Sequence, residues 1–339
     1  MRTKSTNVFS AALQGFLGDY LPGLRGVSSH TILSYRDSLK LFLQFLSKEK
    51  KKHASDIDIE DVGAEEAIAF LKYLEMSRGN CIGTRNIRLS AIHSFFRYLS
   101  GIYPEYLNTC QRILAIPFKR TYTRTIDYLQ AEEITAVFQS VNRLKSAGRR
   151  DYALLSFMFN TGARVQEAVD LQAKDLQLTK PFSVNIYGKG RKQRVCLLWP
   201  QTAHVIKEYL EEQRIDLREP TAVFTNHLGT PLTRFGVRYI FSKYLLAAAN
   251  SQPSLKKKRL HPHSMRHSTA ICLLEAGIDI ITIGHWMGHC SINTTNKYVA
   301  IDLEMKRKAI EKIKLLDAKS NKQVSWRKNP DILKWLESL

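Results

Sequence analysis

The sequence predicts a mainly α protein with a small β-sheet, divided into two domains. Three observations carry this. Apolar residues recur at helical spacing through most of the first 115 residues. A basic, apolar-poor stretch then interrupts the pattern. Beyond it, helical segments surround one alternating β-hairpin.

In the first domain, residues 31–47 read as an amphipathic helix through Ile32, Leu33, Leu39, Leu41, Phe42 and Phe45, with Ser28 or Ser29 as N-cap. Residues 64–76 form a second helix, ended by Gly79. Residues 84–99 form a third, with Ile87, Ile92, Phe95, Phe96 and Leu99 on one face. Residues 8–21 and 103–115 add two more, so residues 1–115 form a helical domain. Residues 116–127 contain Pro117, Lys119, Arg120, Tyr122 and Arg124 and form a basic linker.

The second domain spans residues 128–318. Gln130-Ala131-Glu132-Glu133 places carboxylates in a first helical turn, where they complement the helix dipole. Ser183-Val184-Asn185-Ile186-Tyr187 alternates as a strand, Gly188–Lys192 turns, and Gln193–Leu198 returns. Lys256–Arg259 is a basic loop. Ser264 caps a helix through Glu275, stopped by Gly277, and Asp279 caps another through Met287. Residues 302–316 continue as a charged amphipathic helix. Residues 319–339 form a tail whose segment 331–339 presents Leu333, Trp335, Leu336 and Leu339 and needs a partner surface, on its own chain or on a neighbouring subunit.

Net charge is +20 over 339 residues. Residues 1–125 carry 18 Lys/Arg against 11 Asp/Glu, and the remainder 33 against 20. Both halves are basic and can face the same long polyanion, which points to nucleic acid. The five cysteines are scattered without a Cys-x-x-Cys pair, which argues against a zinc ribbon or disulfide scaffold. No apolar run is long enough for a membrane span, and the N-terminus is a poor signal peptide; the expected location is the cytoplasm.

Several motifs follow one another in the second domain. They are Thr161-Gly162-Ala163-Arg164 with Glu167, Gly188-Lys189-Gly190, His263-Ser264-Met265-Arg266-His267, and Gly288-His289 with Tyr298 nine residues on. Each alone has an ordinary reading. Arg164 serves as a cap or salt-bridge residue, Lys189 as a hairpin turn, and the segment ending at Met287 as part of a helix-turn-helix. His285 and His289 share zinc-ligand spacing, but no third ligand accompanies them, so no metal is expected. Together the set suits phosphodiester chemistry. Arginine forks grip phosphate oxygens, tyrosine needs cations and a base to become a nucleophile, and a lysine on a hairpin tip reaches a leaving oxygen.

On these motifs the chain resembles the tyrosine recombinase (phage integrase) family, which includes the Xer recombinases, Cre and lambda integrase. The resemblance covers nearly the whole chain. It implies a helical SAM-like core-binding domain followed by an α+β catalytic domain. It implies that Arg164, His263 and Arg266 hold the scissile phosphate, that Lys189 is the general acid, that His289 stabilises phosphate oxygens and that Tyr298 attacks. Glu167 and His267 would support them. The reaction implied is cleavage and rejoining of double-stranded DNA through a 3′-phosphotyrosyl intermediate and a Holliday junction, without cofactor, by a dimer on each site and a tetramer in synapsis. An accessory DNA-bending protein or partner recombinase fits the same scheme. A type IB topoisomerase and a catalytically silent regulator are the alternatives. His285-Trp286 is bulkier than the family pattern, and the tail is longer than in Xer proteins, which leans toward a mobile-element integrase or transposase.

The expected DNA contacts are Arg85 and Arg88 with Thr84 at the start of the third helix, then Tyr35 and Arg36. Lys119 and Arg120 of the linker and Arg191 and Lys192 of the hairpin join them.

Overall fold

The computed structural model describes residues 7–121, 127–188 and 192–288. The chain divides into two compact units, Met1–Arg124 and Thr125–Leu339, and the division falls within the basic stretch 116–127.

In the first unit, α1 (Val8–Gly15) runs into a π-helical stretch, Phe16–Leu24, that contains Pro22. Proline has no amide hydrogen to give an α-helical ladder, and a widened turn accommodates it. Then follow α2 (Ser29–Lys50), α3 (Ala64–Met76), α4 (Ile82–Ile102) and α5 (Leu107–Leu114). Ser28 is the N-cap residue of α2. Gly63 opens α3, where Glu66 accepts the Gly63 amide at 3.0 Å. The unit closes over an aromatic core in which Phe9 and Phe95 meet edge to face at 5.2 Å and Phe42 and Phe70 pack at 5.0 Å. Ile87, expected on the apolar face of α4, is instead 56% exposed.

The second unit begins with α6 (Ala131–Gln139), whose N-terminus is closed by Glu133 accepting the Gln130 amide at 2.8 Å. Burying Glu133 requires counter-charge, and Lys258 of the basic loop supplies it at 2.6 Å. Lys258 is thus committed to the fold. The elements α7 (Ser146–Thr161) and α8 (Val165–Val169) precede an antiparallel sheet ordered β1 (Leu176–Gln177), β2 (Ser183–Tyr187), β3 (Gln193–Leu197). Register pairs Val184 with Cys196 and Ile186 with Arg194. Val184, Ile186 and Cys196 point into the core, whereas Val195 and Leu197 alternate outward. Buried Asn160 fixes the end of β3 to α7. Its amide donates to the Leu197 carbonyl at 3.2 Å, and its oxygen accepts the Trp199 amide at 2.7 Å.

The unit continues with α9 (Pro200–Glu212), α10 (Arg234–Ala248), α11 (Pro262–Glu275) and α12 (Ile280–Met287). The cap of α11 differs from expectation. His261 is the N-cap and Pro262 the first helical residue, a position where the missing amide hydrogen is harmless. Ser264 lies inside the first turn and accepts the His261 amide at 3.3 Å. Asp279 caps α12 as expected, accepting the Ile281 and Thr282 amides at 3.0 Å each. Gly288 closes α12 in the left-handed conformation, with φ of +61°. Among the described residues no helix is long and apolar enough to cross a membrane.

Candidate active site

Helix α7 ends at Gly162, which has φ of +58°. Only glycine fits here. A Cβ would strain the backbone and stand 2.5 Å from the Met287 sulfur. The chain turns sharply and Arg164 becomes the N-cap of α8. Glu167, three residues on, accepts the Arg164 amide at 2.9 Å and the Arg164 Nη1 at 2.8 Å. The capping reading of Arg164 is therefore physically present beside the functional one. A third of the Arg164 side chain stays exposed, so its guanidinium is open to a ligand.

Glu167 is buried and needs more than one counter-charge. Arg194, the inward residue of β3, donates Nη2 to Glu167 Oε2 at 2.7 Å and Nε to the Trp286 carbonyl at 3.2 Å. Burial by itself pushes the Glu167 carboxyl up. Hydrogen bonds and charge from Arg194, then Arg164, outweigh it and hold the carboxyl below its ordinary value. Burial likewise opposes the charge on Arg194, and Glu167 restores it and holds the guanidinium above its ordinary value. Sequence reading passed over Arg194. Its signal was an inward-facing arginine in register with buried Ile186.

From α11, Arg266 turns fully inward, 2% exposed. It donates to the carbonyl oxygens of Gly162 and Met287, which terminate α7 and α12. Helix ends leave such carbonyls unpartnered and negative, so a buried guanidinium there satisfies both charge and geometry. His263, one helical turn before Arg266, is exposed at the surface while Arg266 is interior. The His263 ring lies edge to face with His267, centroids 4.9 Å apart, and 6.3 Å from His261.

The structure thus brings Arg164, Glu167 and Arg266 around the Gly162 turn and the end of α12. Trp286 secures that end further, donating its indole N–H to the Asn160 carbonyl at 3.2 Å. Lys189, Arg191, His289, Tyr298 and the tail segments 302–316 and 319–339 lie outside the described residues. Lys192 is exposed and its carbonyl accepts the Gly188 amide at 2.7 Å, closing the hairpin. Among the described residues no His, Cys, Asp and Glu cluster is arranged to hold a metal.

In the first unit the expected DNA-contacting residues separate. Arg85 is buried, a correction to its expected surface role. It faces Glu75 at 3.5 Å and donates to the Pro117 carbonyl at 3.2 Å, so the interior of the unit holds its charge. Arg88 is half-buried and donates to Ser38 Oγ at 2.9 Å. Tyr35 is half-buried and stacks on Phe16, whereas Arg36 is exposed and bonded to its neighbour Asp37. Thr84 is half-buried. Lys119 and Arg120 are exposed, Lys119 in an ion pair with Glu75 at 2.7 Å. In the second unit α10 presents a face that sequence reading missed. Arg234, Phe235, Arg238 and Tyr239 are all exposed, Phe235 by 80% and Tyr239 by 71%. Its signal was the pairing of basic and aromatic residues at i and i+4.

Residues 127–305 match the phage integrase family, and residues 13–101 match the phage integrase N-terminal SAM-like domain. The integrase/recombinase y4rC of Sinorhizobium fredii (strain NBRC 101917 / NGR234) is 37% identical over 329 residues, covering 96% of this chain and 97% of that protein. Tyrosine recombinase XerD of Staphylococcus epidermidis (strain ATCC 35984 / DSM 28319 / BCRC 17069 / CCUG 31568 / BM 3577 / RP62A) is 30% identical, covering 84% and 92%. In fold the chain is similar to the XerH site-specific recombinase in its post-cleavage complex with palindromic difH substrate. That similarity has a TM-score of 0.66 at 21% identity and covers 91% and 90% of the two chains. With both parts of the chain matched and a relative aligned from end to end, the chain belongs to the phage integrase family, the tyrosine-type site-specific DNA recombinases.

Proposed function

We propose that this chain exchanges DNA strands at a specific site through a 3′-phosphotyrosyl intermediate, as the integrase or transposase of a mobile element. Tyr298 gives up its phenolic proton to solvent, its oxygen attacks the scissile phosphorus, and the bond to the 5′ oxygen breaks. Lys189 supplies the proton that the leaving oxygen takes up. Arg164, Arg266, His263 and His289 neutralise charge on the phosphate, with Glu167 and His267 in support. The reverse attack by a 5′ hydroxyl on the tyrosyl ester rejoins the strand. One phosphodiester replaces another, so neither nucleotide nor metal is consumed.

The observation that carries this reading is the partly exposed Arg164 side chain, fixed by buried Glu167 beside the Gly162 turn that Arg266 also holds. A clamp fixed in advance needs little reorganisation when charge develops on the phosphate. Two protomers on each site and four in synapsis fit the strand exchange. The surface of α10 carrying Arg234, Phe235, Arg238 and Tyr239 joins Arg36, Arg120, Arg191 and Lys192 as the DNA-facing set.

The test begins by selecting a bound sequence from random duplexes and rebuilding it as a nicked substrate that traps cleavage. Wild type accumulates a covalent protein–DNA adduct and Tyr298→Phe binds without one. An adduct that persists in Tyr298→Phe would overturn the assignment of the nucleophile. Incubating two such duplexes yields a four-way junction. Relaxation of supercoiled DNA without junctions would instead support a topoisomerase.

A further inference from the structure

Arg194 bonds the anchors of two segments assigned to the reaction and lies near a third. Its Nη2 bonds Glu167, which fixes Arg164. Its Nε bonds the Trp286 carbonyl, in the last turn before Gly288 and His289. A Cβ at Gly288 would stand 2.9 Å from Arg194 Cδ and 3.0 Å from its Nη1. A Cβ at Gly188, the residue before Lys189, would stand 3.2 Å from Glu167 Oε1 and 3.8 Å from Arg194 Nη1. The two glycines flanking the guanidinium thus each directly precede a residue assigned to the reaction.

We infer that Arg194 is a positioning residue for DNA cleavage, holding Arg164 through Glu167 and fixing the end of α12 beside Gly188 and Gly288, the residues that directly precede Lys189 and His289 in the chain. The inference rests on the proposed cleavage reaction and extends it. The side chain is 11% exposed and both of its measured bonds point inward, so its role runs through other residues. The geometry requires arginine. One planar fork spans a carboxylate on α8 and a carbonyl on α12, while a lysine ammonium is a single point charge that reaches one of them well. Gly288 leaves room for that fork, where a Cβ would crowd Arg194 Cδ, while Gly188 leaves room for the Glu167 carboxylate that the fork holds.

Glu167 accepts from both Arg164 and Arg194, so loss of Arg194 leaves the carboxylate with Arg164 alone. The carboxylate then draws Arg164 closer and away from the phosphate. A displacement of about 1 Å in such a clamp lowers rate by roughly 100-fold. DNA affinity is set by many phosphate contacts and changes little.

The test measures adduct formation on the selected nicked duplex by the full-length chain, with thermal unfolding and DNA binding recorded for each variant. Arg194→Met is expected to cleave roughly 100-fold more slowly at a temperature where it is fully folded, with binding retained. Arg194→Lys, which restores charge but not the fork, should recover part of the rate. Adding Glu167→Gln to Arg194→Met should cost less than Glu167→Gln costs alone, because both changes break one linkage. Wild-type cleavage by folded Arg194→Met would overturn the positioning role, as would a loss that only follows the folded fraction. If wild type itself forms no adduct, the cleavage reading fails and this inference with it. Normal wild-type adduct with an unimpaired variant refutes this inference alone.

Discussion

Arg266 donates from the interior of the second unit to the carbonyl oxygen of Met287, two residues before His289 in the chain. Its other terminal nitrogen serves the Gly162 carbonyl, two residues before Arg164. One guanidinium therefore fastens both the Gly162 turn before Arg164 and the end of α12. Its position is structural as well as chemical, and this double duty sets the first prediction.

Arg266→Ala should destabilise the second unit as well as abolish cleavage. The change leaves two helix-terminal carbonyls buried without a partner, each costing about 1–3 kcal/mol. Urea unfolding should show the loss as a lower midpoint. An unchanged midpoint would mean that the two carbonyls find other donors, and that Arg266 acts on substrate alone.

The Glu167 cluster predicts a pH dependence with a definite sign. Its folded carboxyl lies below its ordinary value, so it stabilises the protein fully above the unfolded value of about 4.3. That contribution is lost as pH falls through the lowered folded value. Wild type should exceed Glu167→Gln by about 3 kcal/mol at pH 7, the scale of a broken buried ion pair, with the gap closing below pH ~4. A gap constant with pH would show that the amide loses packing and not charge.

A clasp holds the start of the linker on the first unit. Asn86 donates to the Lys119 carbonyl at 2.8 Å and accepts the Lys119 amide at 3.2 Å, while Lys119 pairs with Glu75. Asn86→Ala removes both backbone bonds, at about 1 kcal/mol each. Limited proteolysis should then cut near Lys119 and Arg120 faster, with the rest of the first unit as resistant as wild type. Equal cleavage rates would mean the clasp is not formed in solution.

Binding should weaken as salt rises, since phosphate contacts release counterions. Arg234→Ala and Arg238→Ala should each lower the salt slope by about 1 if each meets a phosphate. Arg85→Ala should leave the slope unchanged and destabilise the first unit, because Arg85 itself is buried beside Glu75. A slope that falls for Arg85→Ala alone would reverse the assignment.

Much of the architecture was legible in local pattern. Helices α2, α3 and α4 follow apolar residues at helical spacing, and α12 follows its Asp279 cap and Gly288 stop. Strands β2 and β3 follow alternation. The motifs proposed as catalytic stood out because their order and residue types suit phosphate chemistry. Each cap, stop, strand and motif is read from residues a few positions apart, and the motifs' order is read along the chain. What only the tertiary structure decided is where long charged side chains turn. Arg85 and Arg36 look alike on their helices, yet one is buried and the other exposed. Arg194 meets partners 27 and 92 residues away, and Arg266 meets one 104 residues away. A buried guanidinium goes wherever carboxylates and helix-end carbonyls converge, and that convergence is a product of packing distant segments, which no local spacing encodes.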